Sequence, residues 1–426
     1  MTVPVASPAD RRPSVRTSSV RARDARWRGA LAVLEEMRRE PGVTRARVAQ
    51  RLGLTTGSAT EITARLRELA LLSEAPAAAS GRGRPTTVLH PHPDGPVVIA
   101  VDIRQEDWRI AVAALDGRPR VAEEGTHASR DPGRVAEAIA AAVRRLHGRL
   151  HGRLPGRHGG RVRAVSVGVA ATVRNGGVTQ SAALGWDAVD LAGLLPDPRL
   201  PLFVGNDATL AGAAEARYGA AAGAGTALHV TIEVGVGGTL VLDGRPVAGA
   251  TGAGGEFGHL PFGDPALRCP CGASGCWDLT VDGRAIARHL GEPPPSDPRT
   301  YAQAALARAA EDPAVRSAVG RAAAGFGRGL AGLVNAFDPE IVTLGGFAGP
   351  LRAAAASEFE AAVTGGLMRF HREAPPPVVP AALGGDGVLY GAAATALDHV
   401  LTEEGLSAWA AGRGRPHSES SRAKER

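Results

Sequence analysis

Three cysteines in a chain of 426 residues are too few, and odd in number, to frame a fold with disulfides; thiolates used as metal ligands are the better reading. No stretch approaches eighteen consecutive apolar residues, so the sequence holds no candidate membrane span. The opening "MTVPVASPADRRPSVRTSSVRARDAR" has arginines and serines but lacks the apolar core of a secretory leader, and a cytoplasmic protein is expected. Charged residues make up only 22% of the chain against 44% apolar, which excludes an extended polyelectrolyte and leaves enough apolar side chain for two or three packed domains. Charge is also unevenly spread. Residues 1–90 carry +8 and residues 412–426 carry +3 of a total of +6, leaving −5 on 91–411. A basic front end on a mildly acidic body suggests that one part meets a polyanion and the rest does something else.

Residues 1–24 mix Arg, Ser and Pro without an apolar period and read as a disordered basic tail, as do residues 412–426. From Trp27 a helical stripe begins, with Leu31 and Leu34 at i+4 and i+7. Val48 and Leu52 form a second stripe and Ile62, Leu66 and Leu69 a third, with "GLT" between them as the turn of a helix–turn–helix. Thr55 is placed to cap the recognition helix. Thr56, Gly57, Ser58, Thr60 and Glu61 are then the small or polar positions that meet base edges, with Arg65 one turn on for a phosphate. Many helix pairs with this spacing bind no DNA. The added signal is "GRGRP", Gly81–Pro85, between two short β-like runs: Arg82 and Arg84 at a wing tip suit a narrow minor groove. Residues 25–90 are therefore expected to be a winged helix–turn–helix that binds a double-stranded operator, and such modules read paired half-sites as homodimers or homotetramers.

After Pro96 the texture changes. "VVIAVDI", "RIAVAAL", "AVSVGVA", "PLFVGND", "ALHVTIEV" and "EIVTLGG" alternate with helical stretches, and strands followed by helices occur twice, which predicts an α/β protein of two similar lobes over residues 96–403. His147, His151 and His158 have no thiol or carboxylate near them and read as a helix end and loop.

Cys269, Cys271 and Cys276 form a C-x-C-x4-C run whose glycines let the chain fold around one ion. The nearest upstream fourth ligand is His259, making a structural Cys3His zinc site across 259–276.

"GAGGEFGHLPFGDPALRCPCGASGCWD" resembles the signature of the ROK family of repressors and sugar kinases. "FVGNDATLAGAAEARYG", "VGVGGTLVLDGRPVAGATG" and "NAFDPEIVTLGG" follow in the family's order. The resemblance implies an actin-like, ribonuclease-H-like two-lobed domain and, with the winged helix–turn–helix, the family's regulator branch. It also implies that Asn206, Asp207, Glu256 and His259 reach a sugar's hydroxyls, with His259 shared by zinc. Asp278 stands where relatives carry a glutamate one methylene longer. In a kinase Asp207 would be the general base. The kinase phosphate loops, D-[IL]-G-G-T and G-T-G-x-G-G-G, read here as "DIRQEDW" and "EVGVGGT". Arg104, Gln105 and Glu106 replace Gly, Gly and Thr, and Glu233 and Val234 replace Gly and Thr. The expectation is a regulator, most simply a repressor, that senses a sugar-like effector and uses no ATP. A sugar kinase carrying a DNA-binding domain is the alternative, and a DNA-binding protein without effector a third.

Overall fold

A computed structural model of the chain describes residues 16–77, 87–151 and 160–413. It divides into two compact units, one formed by residues up to Pro96 together with those from His399 onward, the other spanning Val97–Asp398.

The first unit begins with helix α1 (Arg16–Arg39), followed by α2 (Arg45–Arg51), α3 (Thr56–Glu68) and an antiparallel pair, β1 (Leu72–Pro76) and β2 (Thr87–Pro91). Helix α1 starts inside the stretch expected to be disordered. An arginine- and serine-containing segment continues a helix on propensity without an apolar period to announce it. Thr44 and Thr55 cap the next two helices, accepting from Arg47 N at 3.2 Å and Ser58 N at 3.1 Å. Gly53, at φ +62°, makes the turn between them. Trp27, Leu34, Met37, Val48, Leu66 and Leu89 are buried at the centre. Residues 78–86, which include Arg82 and Arg84 of the expected wing tip, lie outside the described residues, but the strands that would support that tip pair as a wing requires. The C-terminal helix Glu403–Arg413 belongs to this unit, so residues 399–403 leave the expected α/β domain and 412–413 leave the expected tail. Its Trp409 is 6% exposed and donates its indole N–H to Leu69 O at 2.8 Å.

The second unit holds two five-stranded sheets of the same topology. In the first, β3 (Val97–Ile103), β4 (Asp107–Ala113) and β5 (Pro119–Thr126) run antiparallel. Beyond helix α4 (Pro132–His151), β6 (Val162–Val169) pairs parallel to β3; the small hairpin β7 (Thr172–Arg174) and β8 (Gly177–Gln180) follows, and β9 (Leu202–Asn206) pairs parallel to β6 before leading into α5 (Asp207–Tyr218). The order is β5-β4-β3-β6-β9. The second sheet repeats it with β10 (Thr226–Ile232), β11 (Val236–Leu242), β12 (Arg245–Pro246), β13 (Ile341–Gly346) and β14 (Val378–Pro380), in the order β12-β11-β10-β13-β14. Every residue of β3 is buried, as expected for a β-branched run covered on both faces. Helix α4 puts Val135, Ile139, Val143 and Leu146 on one buried stripe, with His147 and His151 in its last turns as the sequence implied. Helices α6 (Gly283–Leu290), α7 (Pro298–Arg308), α8 (Pro313–Phe337), α9 (Ala348–Ala354), α10 (Ala356–Gly366) and α11 (Arg369–Glu373) build the second lobe, and α12 (Gly387–Val400) ends the unit. Trp277, fully buried, stacks on Phe326 of α8 at 5.7 Å between ring centres. Among the described residues no helix is long and apolar enough to cross a membrane.

Candidate functional site

In open α/β sheets a ligand cleft forms outside the carboxyl ends of parallel strands. Here the residues at the ends of β3, β6, β9, β10, β13 and β14 all line one cavity within the second unit. One end of it meets the cysteine loop, and the other meets the positions expected to hold phosphates.

At the cysteine end, Gly272 and Gly275 adopt φ of +98° and +70°, letting the chain double back so that Cys269 N bonds Ala273 O. The donor atoms of His259, Cys269, Cys271 and Cys276 lie within 4.8 Å of one another. Cys271 and Cys276 sulfurs are 3.7 Å apart, and Cys269 Sγ is 3.8 Å from His259 Nδ1. Two thiolates about 2.3 Å from one tetrahedral ion stand about 3.8 Å apart, so the cluster fits zinc. Burial and the neighbouring thiols push Cys276 up to about 12, so an ion entering the cluster must displace protons. His259 and Cys271 also line the cleft, which places the four-residue cluster in its wall.

The residues tied by resemblance to a sugar come together beside it. Asp207, at the first turn of α5, accepts Ala208 N at 2.8 Å through Oδ1. Burial pushes it up to about 7, with the charges of Asp102, Glu233 and Glu256 acting the same way. Asn206 is engaged locally, its Oδ1 capping α5 at Thr209 N and its Nδ2 donating to Ala171 O at 3.1 Å. Glu256 approaches His259 Nε2 to 4.0 Å. Asp278, held above the usual carboxylate range by burial, reaches His259 Nδ1 at 3.9 Å and accepts Val236 N at 2.6 Å. A side chain at Gly258 would place Cβ 2.0 Å from Asp278 Oδ1, so the glycine of the "EFGH" motif makes room for the aspartate.

At the other end, ion pairs occupy the positions of the altered loops. Asp102, 1% exposed, pairs with Arg109 at 3.0 Å, and Arg109 continues to Asp386 at 2.7 Å and to Gly385 O. Arg104 pairs with Asp107 at 2.6 Å. Arg299, at the start of α7, lies 3.6 Å from Glu106 of the first lobe and 3.5 Å from Glu233 of the second. Arg109, Arg299 and Asp386 were not singled out in the sequence. Arg299 stands almost two hundred positions from Glu106, and no local pattern marks such a pair.

In the first unit, Thr56, Gly57, Ser58, Thr60 and Glu61 are exposed along the first half of α3, while Ala59, Thr63 and Leu66 face inward. Arg65, one turn further on, is half-buried, with its guanidinium over the Trp27 ring at 4.7 Å.

Comparison with known proteins gives concordant matches. The ROK family profile matches residues 98–399. A glucokinase of Streptomyces coelicolor is 29% identical over 163 residues, 34% of this chain and 51% of the glucokinase. A xylose repressor of Bacillus subtilis is 26% identical over 160 residues, 37% of this chain and 41% of the repressor. The chain thus spans about half the length of these curated relatives. The crystal structure of a ROK family transcriptional regulator, a homolog of the E. coli MLC protein, superposes with a TM-score of 0.68 at 22% identity, covering 90% of this chain and 98% of that one.

Proposed function

Because this chain belongs to the ROK family, we propose that it is a DNA-binding transcriptional regulator, a repressor, whose kinase-like unit senses a sugar or sugar derivative without phosphorylating it. The observation that carries this reading is the ion-pair set at the phosphate end of the cleft. A triphosphate is held by close approach of glycine N–H groups and by cations. Here Arg104, Gln105 and Glu106 put bulk in that place, and Glu106 and Glu233, joined through Arg299, add carboxylates where phosphates would lie. The exposed face of α3, the wing strands and the likeness to a xylose repressor support the DNA-binding role.

Asp207, Glu256, His259 and Asp278 accept from and donate to ring hydroxyls, with Asn206 fixing the start of α5. Zinc, held by His259, Cys269, Cys271 and Cys276, would supply structural rigidity to one wall of the cleft. With His259 fixed by its ring nitrogen, Glu256 and Asp278 keep a defined place on either side of it. A homodimer or homotetramer reads a two-fold operator through exposed α3 residues in the major groove and Arg82 and Arg84 in the minor groove.

A kinase reading has two observations in its favour: Asp207 is pushed up to about 7, where a general base works best, and a glucokinase stands among the relatives. The test runs on the full chain in two arms. Operator selected from a random DNA pool is titrated with and without a hexose panel at several salt concentrations, and the same hexoses are incubated with ATP. The regulator reading expects specific operator binding that one sugar alters. It also expects that replacing Arg82 and Arg84 together with Ala weakens binding and flattens its salt dependence. Sugar phosphate formed at about one turnover per second or faster overturns it in favour of the kinase.

A further inference from the structure

His147 and His151 stand one turn apart near the end of α4, so their side chains share a face. Their ring centres are 4.4 Å apart, with the planes tilted by 42°. Two imidazoles bound to one ion at about 2.1 Å have ring centres roughly 4.6 Å apart when the bonds meet at a right angle, and roughly 5.3 Å apart at a tetrahedral angle. The pair is therefore spaced for an ion that prefers right-angled bonds rather than for tetrahedral zinc.

Packing and charge both support the pair. A Cβ on Gly160 would overlap the His151 ring, so only a glycine there lets that ring lie beside His147. Burial first, and then the neighbouring His151, push His147 below the ordinary histidine value of 6.5, so its ring is neutral near pH 7 and keeps a lone pair for a metal. His151 is exposed and His147 half-buried, which leaves the pair open to an ion from solvent. The sequence places no carboxylate near these histidines, but the fold brings Asp197, whose charge reaches His147 and favours a cation there. Asp197 Oδ1 accepts Arg199 N at 3.0 Å, and the Arg199 guanidinium holds the acid down to about 2, so it is ionised at neutral pH. That guanidinium is 88% exposed, and an exposed pair of this kind is weak enough to share its carboxylate with a second cation. Arg145 and Arg149, in the same turns of α4, are drawn to Glu123 at 2.8 Å each.

We propose that His147 and His151 form a second metal site, separate from the cysteine cluster, that takes Ni2+ or Cu2+ through two imidazole nitrogens, with water in the other positions and Asp197 lending negative charge. Imidazole suits these ions, and both bind nitrogen more strongly than the earlier divalent ions of the row. An ion shared between positions i and i+4 fastens the last turns of α4, the turns that carry Leu146 into the core of the first lobe. The site depends on neither the sugar reading nor the DNA reading.

Equilibrium dialysis of the full, untagged, zinc-loaded chain against micromolar Ni2+ near neutral pH tests this, with zinc and nickel counted together by elemental analysis. One Ni2+ per chain is expected beside an unchanged zinc content, with no thiolate-to-nickel charge-transfer band. His151→Ala should lower nickel affinity at least tenfold, and its exposed position keeps the core out of the comparison. His147→Ala should do the same, and Asp197→Asn should weaken binding by a smaller factor. Nickel bound as tightly by both histidine variants as by the parent chain overturns the proposal. So does a chain that takes up no nickel, or one that holds nickel only with a thiolate band, since the cysteine cluster is then the ligand.

Discussion

At Asp207 the proposed contact with a ligand and the stability of the fold pull against each other. The folded chain holds its carboxyl up to about 7 against an ordinary value of 3.8, so the fold favours the protonated form. Stability contributed by that preference is present at low pH and is lost as pH rises from the ordinary value through about 7. Asn cannot ionise, so Asp207→Asn should raise the melting midpoint of the unliganded protein at pH 8 by a few degrees, on the order expected for a kilocalorie or two. Near pH 4, close to the ordinary value, it should change little. Scanning calorimetry at the two pH values checks this, and an equal shift at both would mean that burial of the ionised form is not what strains the site. The same variant should lose its response to sugar while still binding operator. Gly258 and Gly345 belong to this scale too. Each is a place where one methyl group would cover a polar atom facing the cleft, Asp278 Oδ1 in one case and His229 Nε2 in the other.

At the scale of elements, the cysteine loop and the strand ends divide the work. Cys271→Ser removes one of four donors from a loop tied by a handful of backbone hydrogen bonds. Metal content should fall well below one zinc per chain, and the melting midpoint of the second unit should drop, as measured by elemental analysis beside calorimetry. Full metal content in that variant would place the ion elsewhere. Much at this scale was legible in the sequence. The "VVIAVDI" run became the wholly buried β3, Thr55 caps α3, the two sets of strands fold into two sheets of one topology, and C-x-C-x4-C with His259 converges on one point. Each of these depends on spacing within a few tens of residues. What stayed hidden depends on distance. Arg299 meets Glu106 only because two lobes face each other, and the contact of Arg65 with the Trp27 ring joins two helices far apart in sequence. The onset of α1 at Arg16 was missed for a different reason: a polar helical turn has no apolar period to read.

At the scale of the whole molecule, the two ends of the chain share a unit. Trp409 packs its indole against the helix–turn–helix and bonds Leu69 O at the end of α3. Trp409→Ala should cost that unit about 3–5 kcal/mol, the usual loss for a buried aromatic. Operator binding should fall while the second unit keeps its melting midpoint and its zinc; a variant binding operator normally would show that the helix is dispensable. The arrangement also sets an order of events during synthesis. The helix–turn–helix leaves the ribosome before the second unit but lacks its closing helix until residue 403 and beyond have been made. At about 5–20 residues per second that interval is tens of seconds, in which the second unit is translated in full. A nascent or prematurely terminated chain therefore carries the helix–turn–helix without the helix that closes it, and only translation through residue 413 completes that unit.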